Sequence, residues 1–291
     1  MSALTEFTEV PVIDVTGLLG DDPHEQWRVA QELGRAAREI GFLQVTGTGI
    51  DPALFEDLLR VSKAYFGLPR GVKMQTYIGR SRNHRGYVPV GEEVFSGGTV
   101  DLKEAFDLGR DLPADDPDHL AGRMLGPNQW PDVPGFAAAC TTWYEAVMAL
   151  GGALLRGFAL ALGEPADVFD AYVTKPPSQL RLIHYPYDPD AVDTVGIGAH
   201  TDYECFTILK PTAPGLEVLN GAGEWVDVPP LAVYRNPYRV GWEQFLRHVA
   251  ADAPLASDFA AGIRDVAFAE ACHRSMAERT WIAFPPAGKV P

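Results

Sequence analysis

The sequence predicts one domain over residues 1–291, with helices first, wrapped on an antiparallel β-core. Three observations carry that prediction. Two Asp-Pro pairs, Asp22-Pro23 and Asp51-Pro52, stand where helices begin, with Asp as N-cap and Pro at the first helical position. An apolar stretch from about Phe136 to Leu162 is too long for a strand. Beyond Pro176 the pattern changes to short apolar runs separated by Gly, Pro and Asp turns, which reads as a sandwich or barrel. The organisation is an N-terminal helical and loop portion (1–135), a long helix leading into the β-core (136–230) and a C-terminal segment of different character (231–291).

Taken in order, Val10-Pro11-Val12-Ile13-Asp14 is a short strand signal. Trp27, Ala30, Leu33, Ala37 and Ile40 recur at helical spacing after Asp22, and Gly41 ends the run. Phe42 to Thr46 alternates as a strand and is closed by Gly47-Thr48-Gly49. The helix opened by Asp51 places Leu54, Phe55, Leu58, Leu59, Ser62 and Phe66 on or near one face and stops at Gly67-Leu68-Pro69. Residues 76–135 are rich in Gly, Pro and Arg and read as long loops, with Arg85-Gly86-Tyr87 and Asp101-Leu102-Lys103-Glu104 as their distinctive pieces. In the β-core, Gln179–Tyr187, Thr194–Gly198, Glu204–Lys210, Leu216–Leu219 and Trp225–Val228 are the strand candidates.

Composition narrows the partners. With 24 basic and 39 acidic residues the net charge is −15, a surface that repels nucleic acid and anionic lipid. The apolar run Ala146–Leu162 is interrupted by Gly151, Gly152, Arg156 and Gly157, which argues for a core helix over a membrane span. Neither nucleic acid nor membrane is expected as a partner, and no signal peptide is visible. Cys140, Cys205 and Cys272 share no metal-type spacing and are expected as small buried hydrophobes in a reduced, cytoplasmic compartment. The sequence is silent on oligomeric state.

The chemistry concentrates in Gly198–Leu209. His200 and Asp202 are two residues apart, and on a strand that spacing presents both side chains on one face. An imidazole and a carboxylate presented together make two thirds of the facial triad that holds non-haem Fe(II) and leaves positions open for oxygen and substrate.

Several ordered motifs then converge. Val10–Asp14, Gly41–Ile50, Arg85-Gly86-Tyr87, Leu182–Tyr187, Ala199-His200-Thr201-Asp202, Gly215–Gly221 and Glu224–Pro230 resemble, in order, the landmarks of the isopenicillin N synthase-like 2-oxoglutarate/Fe(II)-dependent oxygenases. The resemblance covers roughly residues 8–230. It implies a mainly β fold with flanking helices: a double-stranded β-helix (jelly roll) core behind an N-terminal α/β portion. It also implies Fe(II), 2-oxoglutarate as co-substrate, O2, and hydroxylation, desaturation or cyclisation of a small organic molecule. His200 and Asp202 become the first two iron ligands. Tyr185 matches a position that hydrogen-bonds the co-substrate, and Arg85 and Tyr87 match a loop that often faces substrate.

The segment after Pro230 departs from that pattern. Trp242, Phe245, Leu246, Val249 and Ala250 have helical spacing, as do Phe259, Ile263, Val266 and Ala267, and strand signals return only at Thr280–Phe284. The resemblance calls for a third ligand His and, after it, an Arg to clamp the far carboxylate of 2-oxoglutarate with its fork of donors. The family interval falls between His248 and His273. His273 is preferred, because His273-Arg274 followed by Glu278-Arg279 and Phe284-Pro285 repeats the family order in compressed form; Arg279 is then the clamp. His248, or no third protein ligand at all, remains open. Three functions follow: a 2-oxoglutarate-dependent oxygenase, a degenerate member acting as a non-catalytic binding protein, and a 2-oxoglutarate-independent oxidase of the same fold.

Overall fold

The structure is a computed structural model describing residues 5–93, 101–187, 196–202 and 204–231, together with 245–246, 249, 266, 271–274, 276 and 278–279. The chain divides into two compact units, Met1–Pro230 and Leu231–Pro291.

In the first unit, β1 (Val12–Asp14) is followed by the short helix α1 (Thr16–Leu19), α2 (Pro23–Glu39) and β2 (Gln44–Thr46). The two strands pair in parallel, Ile13 opposite Val45, with α2 as the crossover. The Asp22 side chain accepts the His24 amide and the Asp51 side chain that of Ala53, so α2 and α3 (Pro52–Phe66) start where their Asp-Pro pairs place them. After α3 come α4 (Arg70–Lys73), β3 (Gly86–Val88), β4 (Glu104–Gly109), α5 (Pro117–Leu120) and the long α6 (Phe136–Ala161). β5 (Gln179–His184), β6 (Glu217–Leu219) and β7 (Trp225–Asp227) complete the strands found among the described residues.

α6 is long and apolar enough to cross a membrane by length and composition alone. In the fold it packs against α2 and α3. Its contact with α2 corrects the expected buried face. That face is Val29, Ala30, Leu33, Gly34 and Ala36, whereas Trp27 is 57 % exposed and Ala37 faces solvent. Close helix approach is the reason: a Cβ on Gly34 would lie 2.7 Å from Ala161 Cβ, so nothing larger than glycine fits at that position.

The Gly/Pro/Arg-rich stretch is not merely loops. β3 and β4 arise from it and form an antiparallel sheet with β5 in the order β3-β4-β5, Glu104 opposite His184 and Asp107 opposite Arg181. One face of this sheet, with Tyr87, Phe106, Leu108 and Leu182, joins Leu58, Val61, Tyr65, Phe136 and Trp143 in the largest core cluster. Arg85 and Tyr87, matched by resemblance to a substrate-facing loop, are buried here. The Arg85 guanidinium donates to the carbonyls of Asn83, His84 and Met124.

β6 and β7 form an antiparallel hairpin, as their turn-separated runs predict. Glu204–Lys210, by contrast, carries no strand. A strand exists only with a hydrogen-bonded neighbour, and none of the described segments ladders with it. Of the cysteines, Cys140 is buried as expected, whereas Cys205 and Cys272 are exposed.

In the second unit, Phe245, Leu246, Val249 and Val266 are helical, in line with the spacing, and exposed. The Thr280–Phe284 strand candidate and His248 lie outside the described residues.

Candidate functional site

The β3–β4–β5 sheet turns charge to both of its faces at one end. On the helix side, the Glu104 carboxylate accepts Lys73 Nζ at 2.9 and 2.7 Å, the Tyr87 hydroxyl at 2.5 Å and His184 Nδ1 at 2.9 Å. Burial works against the Glu104 charge, but the bonds from Lys73, Tyr87 and His184 outweigh it and hold the carboxyl below its usual range. Tyr87 is pushed well above an ordinary phenol, first by burial and then by its bond to Glu104.

The opposite face carries a longer chain of ion pairs. Arg181 clamps Asp107 with two bonds of 2.7 Å and reaches Glu93 at 2.8 Å. Glu93 also meets Lys103 at 3.1 Å, and Lys103 Nζ donates to Asp101 Oδ2 at 2.7 Å. Asp101 then reaches the segment that matters most. Its Oδ1 accepts the Gly198 amide at 3.1 Å, across 97 positions of sequence.

From Gly198 the described residues run on without strand pairing. His200 Nδ1 bonds the Gly198 carbonyl at 2.9 Å, and His200 Nε2 lies 3.4 Å from Asp202 Oδ1. Both side chains are open to solvent, at 34 and 49 % exposure. The predicted convergence of this imidazole and carboxylate is therefore present, although a docked loop holds it where a strand was expected. Two further contacts fix that loop. The Phe206 ring packs on Phe158 of α6 at 5.7 Å between centroids, and Lys210 Nζ sits 5.0 Å from the Phe55 ring centre.

Tyr185 continues β5 toward this segment. Its half-exposed ring lies against Gly196, where a Cβ would come within 2.7 Å, and burial followed by the Asp101 carboxylate raises its pKa. Tyr185, His200 and Asp202 thus belong to one neighbourhood of the first unit.

The remaining candidates lie in the second unit. His273 stands on the helical stretch 271–274 and is exposed, as are Cys272, Arg274 and Met276. Arg274 pairs with Glu278 at 3.7 Å along that stretch. Arg279 is exposed in a turn with φ +52°, a left-handed conformation. Among the described residues no group of three or more His, Cys, Asp or Glu clusters as a metal site.

The donor pair can be tested against iron. Two cis ligands at about 2.1 Å from one octahedral ion are roughly 3 Å apart. The 3.4 Å between His200 Nε2 and Asp202 Oδ1 needs only a small side-chain adjustment to meet that, and the donor types suit Fe(II). Asp101, Lys103, Glu93, Arg181 and Asp107 were not among the sequence candidates. The signal was the run Asp101-Leu102-Lys103-Glu104, whose charges stand beside buried apolar residues.

Comparison with known proteins adds the following. Residues 10–133 match the profile described as the N-terminal region of non-haem dioxygenase in morphine synthesis, and residues 176–238 match that of the 2OG-Fe(II) oxygenase superfamily. A homoarginine-6-hydroxylase of Oryza sativa subsp. japonica is 34 % identical over 78 % of this chain and 74 % of its own length. The 2-oxoglutarate-Fe(II) type oxidoreductase hxnY of Emericella nidulans is 32 % identical over 77 % of this chain and 67 % of its own. Among solved structures, a full-length Neurospora crassa protein in complex with alpha-KG superposes with a TM-score of 0.65 at 27 % identity, covering 79 % of this chain and 73 % of that one. A putative 2OG-Fe(II) oxygenase family protein from Caulobacter crescentus gives a TM-score of 0.67 at 31 % identity, covering 77 and 72 %.

Proposed function

The chain belongs to the 2-oxoglutarate/Fe(II)-dependent oxygenase family, and on that premise we propose that His200 and Asp202 are two of its iron ligands. The enzyme uses Fe(II), 2-oxoglutarate and O2 to oxidise a small organic molecule. The observation that carries the ligand assignment is the approach of His200 Nε2 to Asp202 Oδ1, on a loop tethered at Gly198, Phe206 and Lys210. Bound Fe(II) would couple decarboxylation of 2-oxoglutarate to the activation of oxygen.

The chain's own residues do the rest. The loop brings together the imidazole and the carboxylate that would hold Fe(II), both on solvent-exposed side chains. The resemblance gives Tyr185, whose ring lies beside Gly196, the role of donating a hydrogen bond to the co-substrate through its phenol. The resemblance assigns the third ligand to His273 and the carboxylate clamp to Arg279, and substitution at each decides those roles. β3–β5, the 198–210 segment and the β6–β7 hairpin are read as parts of a jelly-roll core. The substrate is a small molecule, as it is for the Neurospora crassa protein, a second structure of which contains thymine. The charge of −15 argues against nucleic acid or an anionic membrane as a partner. A reducing, cytoplasmic setting suits both Fe(II) and the exposed thiols Cys205 and Cys272.

The test is succinate release from 2-oxoglutarate with Fe(II), ascorbate and O2. Asp202→Ala is expected to abolish it and Tyr185→Phe to weaken co-substrate use. Undiminished turnover in Asp202→Ala refutes the ligand assignment.

A further inference from the structure

We propose that Asp101 and Lys103 are positioning residues for His200: through Gly198 they fix the imidazole as its Nδ1–H tautomer and turn Nε2 toward Asp202. The inference rests on His200 being an iron ligand and deepens that assignment.

Three consecutive bonds carry it. Lys103 Nζ donates to Asp101 Oδ2 at 2.7 Å, both side chains being almost wholly buried at 2 and 1 % exposure. The Gly198 N–H donates to Asp101 Oδ1 at 3.1 Å, which pins the start of the loop. The Gly198 carbonyl oxygen then bonds His200 Nδ1 at 2.9 Å. A carbonyl oxygen has no proton to give, so the hydrogen in this last bond must be on Nδ1. A neutral imidazole carries one ring proton, so the lone pair falls on Nε2, the atom facing Asp202 Oδ1. A metal ion can use only that lone pair, and the ring must already point along it.

The location of the anchor explains its chemistry. His200 and Asp202 are exposed on a segment without strand pairing, so no backbone ladder orients them. A buried carboxylate does that work here, paired with the adjacent ammonium, which also meets Glu93 at 3.1 Å. The Gly198 carbonyl bonds the ligand directly, a kind of partner that commonly contributes ten- to hundred-fold in metal affinity, and Asp101 holds that residue in place. Asp101 touches neither metal nor substrate in this account and acts only through Gly198 and His200.

The experiment uses the full chain as apoprotein. The principal variant is Asp101→Leu/Lys103→Met, which removes both charges together and strands neither. Asp101→Leu alone, which removes the acceptor of the Gly198 amide and leaves Lys103 its Glu93 partner, is read the same way should the double variant not fold. Nitrogen-15 shifts of the His200 ring are recorded at about pH 8, where an ordinary imidazole is neutral, and assigned by their loss in His200→Gln. Mn(II) alone is then titrated by calorimetry, and thermal unfolding verifies that each variant folds. The expected result is a wild-type ring held as Nδ1–H, a mixture of tautomers in the variant, and Mn(II) affinity reduced ten- to hundred-fold. A folded variant with the wild-type tautomer, or with Mn(II) affinity within about threefold of wild type, overturns the proposal. A wild-type protein that takes up no Mn(II) defeats the ligand assignment instead, and the tautomer comparison still decides the role of Asp101.

Discussion

Replacing Glu104 by leucine should cost about 4 kcal/mol of stability. Lys73 is the reason. Its ammonium is 8 % exposed and donates to both Glu104 oxygens and to the Phe66 carbonyl. Without the carboxylate, one neutral carbonyl remains for a buried cation, and breaking such a pair from one side costs about 3–5 kcal/mol. The Tyr87 hydroxyl also loses its acceptor, which is worth about 1–3 kcal/mol for a buried donor, though the two losses share a network and do not simply add. The double variant Lys73→Met/Glu104→Leu removes both charges and should return to within about 2 kcal/mol of wild type, with the Tyr87 hydroxyl, His184 and the Phe66 carbonyl left to find other partners. Urea unfolding followed by tryptophan fluorescence measures both variants, with an unchanged m-value as the sign that the comparison is valid. A cost below about 1 kcal/mol for Glu104→Leu, or a double variant as unstable as the single, would refute the reasoning.

Other outcomes follow from the same structure. Glu104 and Glu93 are both held below the ordinary carboxylate value of 4.5, against their burial, by Lys73, Tyr87 and His184 and by Arg181 and Lys103 respectively. Their stabilisation is complete above that value and is lost as pH falls through the lower folded values. The urea midpoint should therefore drop in acid, and less steeply in Lys73→Met/Glu104→Leu. Gly86→Ala should cost roughly 3 kcal/mol in a thermal melt, because Gly86 has φ +119° and a methyl group there would strike the Thr76 carbonyl. Asp51→Ala removes the α3 cap and should cost about 1 kcal/mol, measured in the same way.

The parts of the fold legible in the sequence are those set by local chemistry. Asp22-Pro23 and Asp51-Pro52 mark two helix starts because a side-chain cap and a missing amide act within one turn. α6 is equally plain, its observed end at Ala161 lying one residue from the expected Leu162. What the sequence concealed depends on distant partners. β4 is buried along its whole length yet contains Glu104 and Asp107, whose burial is possible only because Lys73, Tyr87, His184 and Arg181 arrive from elsewhere. No periodicity announces such a strand. The buried face of α2 was misplaced for a related reason, since the small residues Ala30 and Gly34 outrank Trp27 where another helix approaches closely.

The site divides in the same manner. His200 and Asp202 could be read because two positions of separation suffice to bring them together. Asp101 could not be tied to them, because its bond to Gly198 spans 97 residues and exists only once the sheet has formed. The strand expected around them is not present among the described residues, none of which pairs with this segment. Phe206 on Phe158 and Lys210 on Phe55 supply the fixing that a ladder would have given.

The central claim is that His200 and Asp202 hold the metal. Calorimetric titration of Mn(II) into the wild-type chain, His200→Ala and Asp202→Ala tests it most directly. The account predicts one site in the wild type and a loss of affinity of at least about a hundredfold in each variant, roughly 2.7 kcal/mol. Binding of equal strength in all three proteins would contradict it.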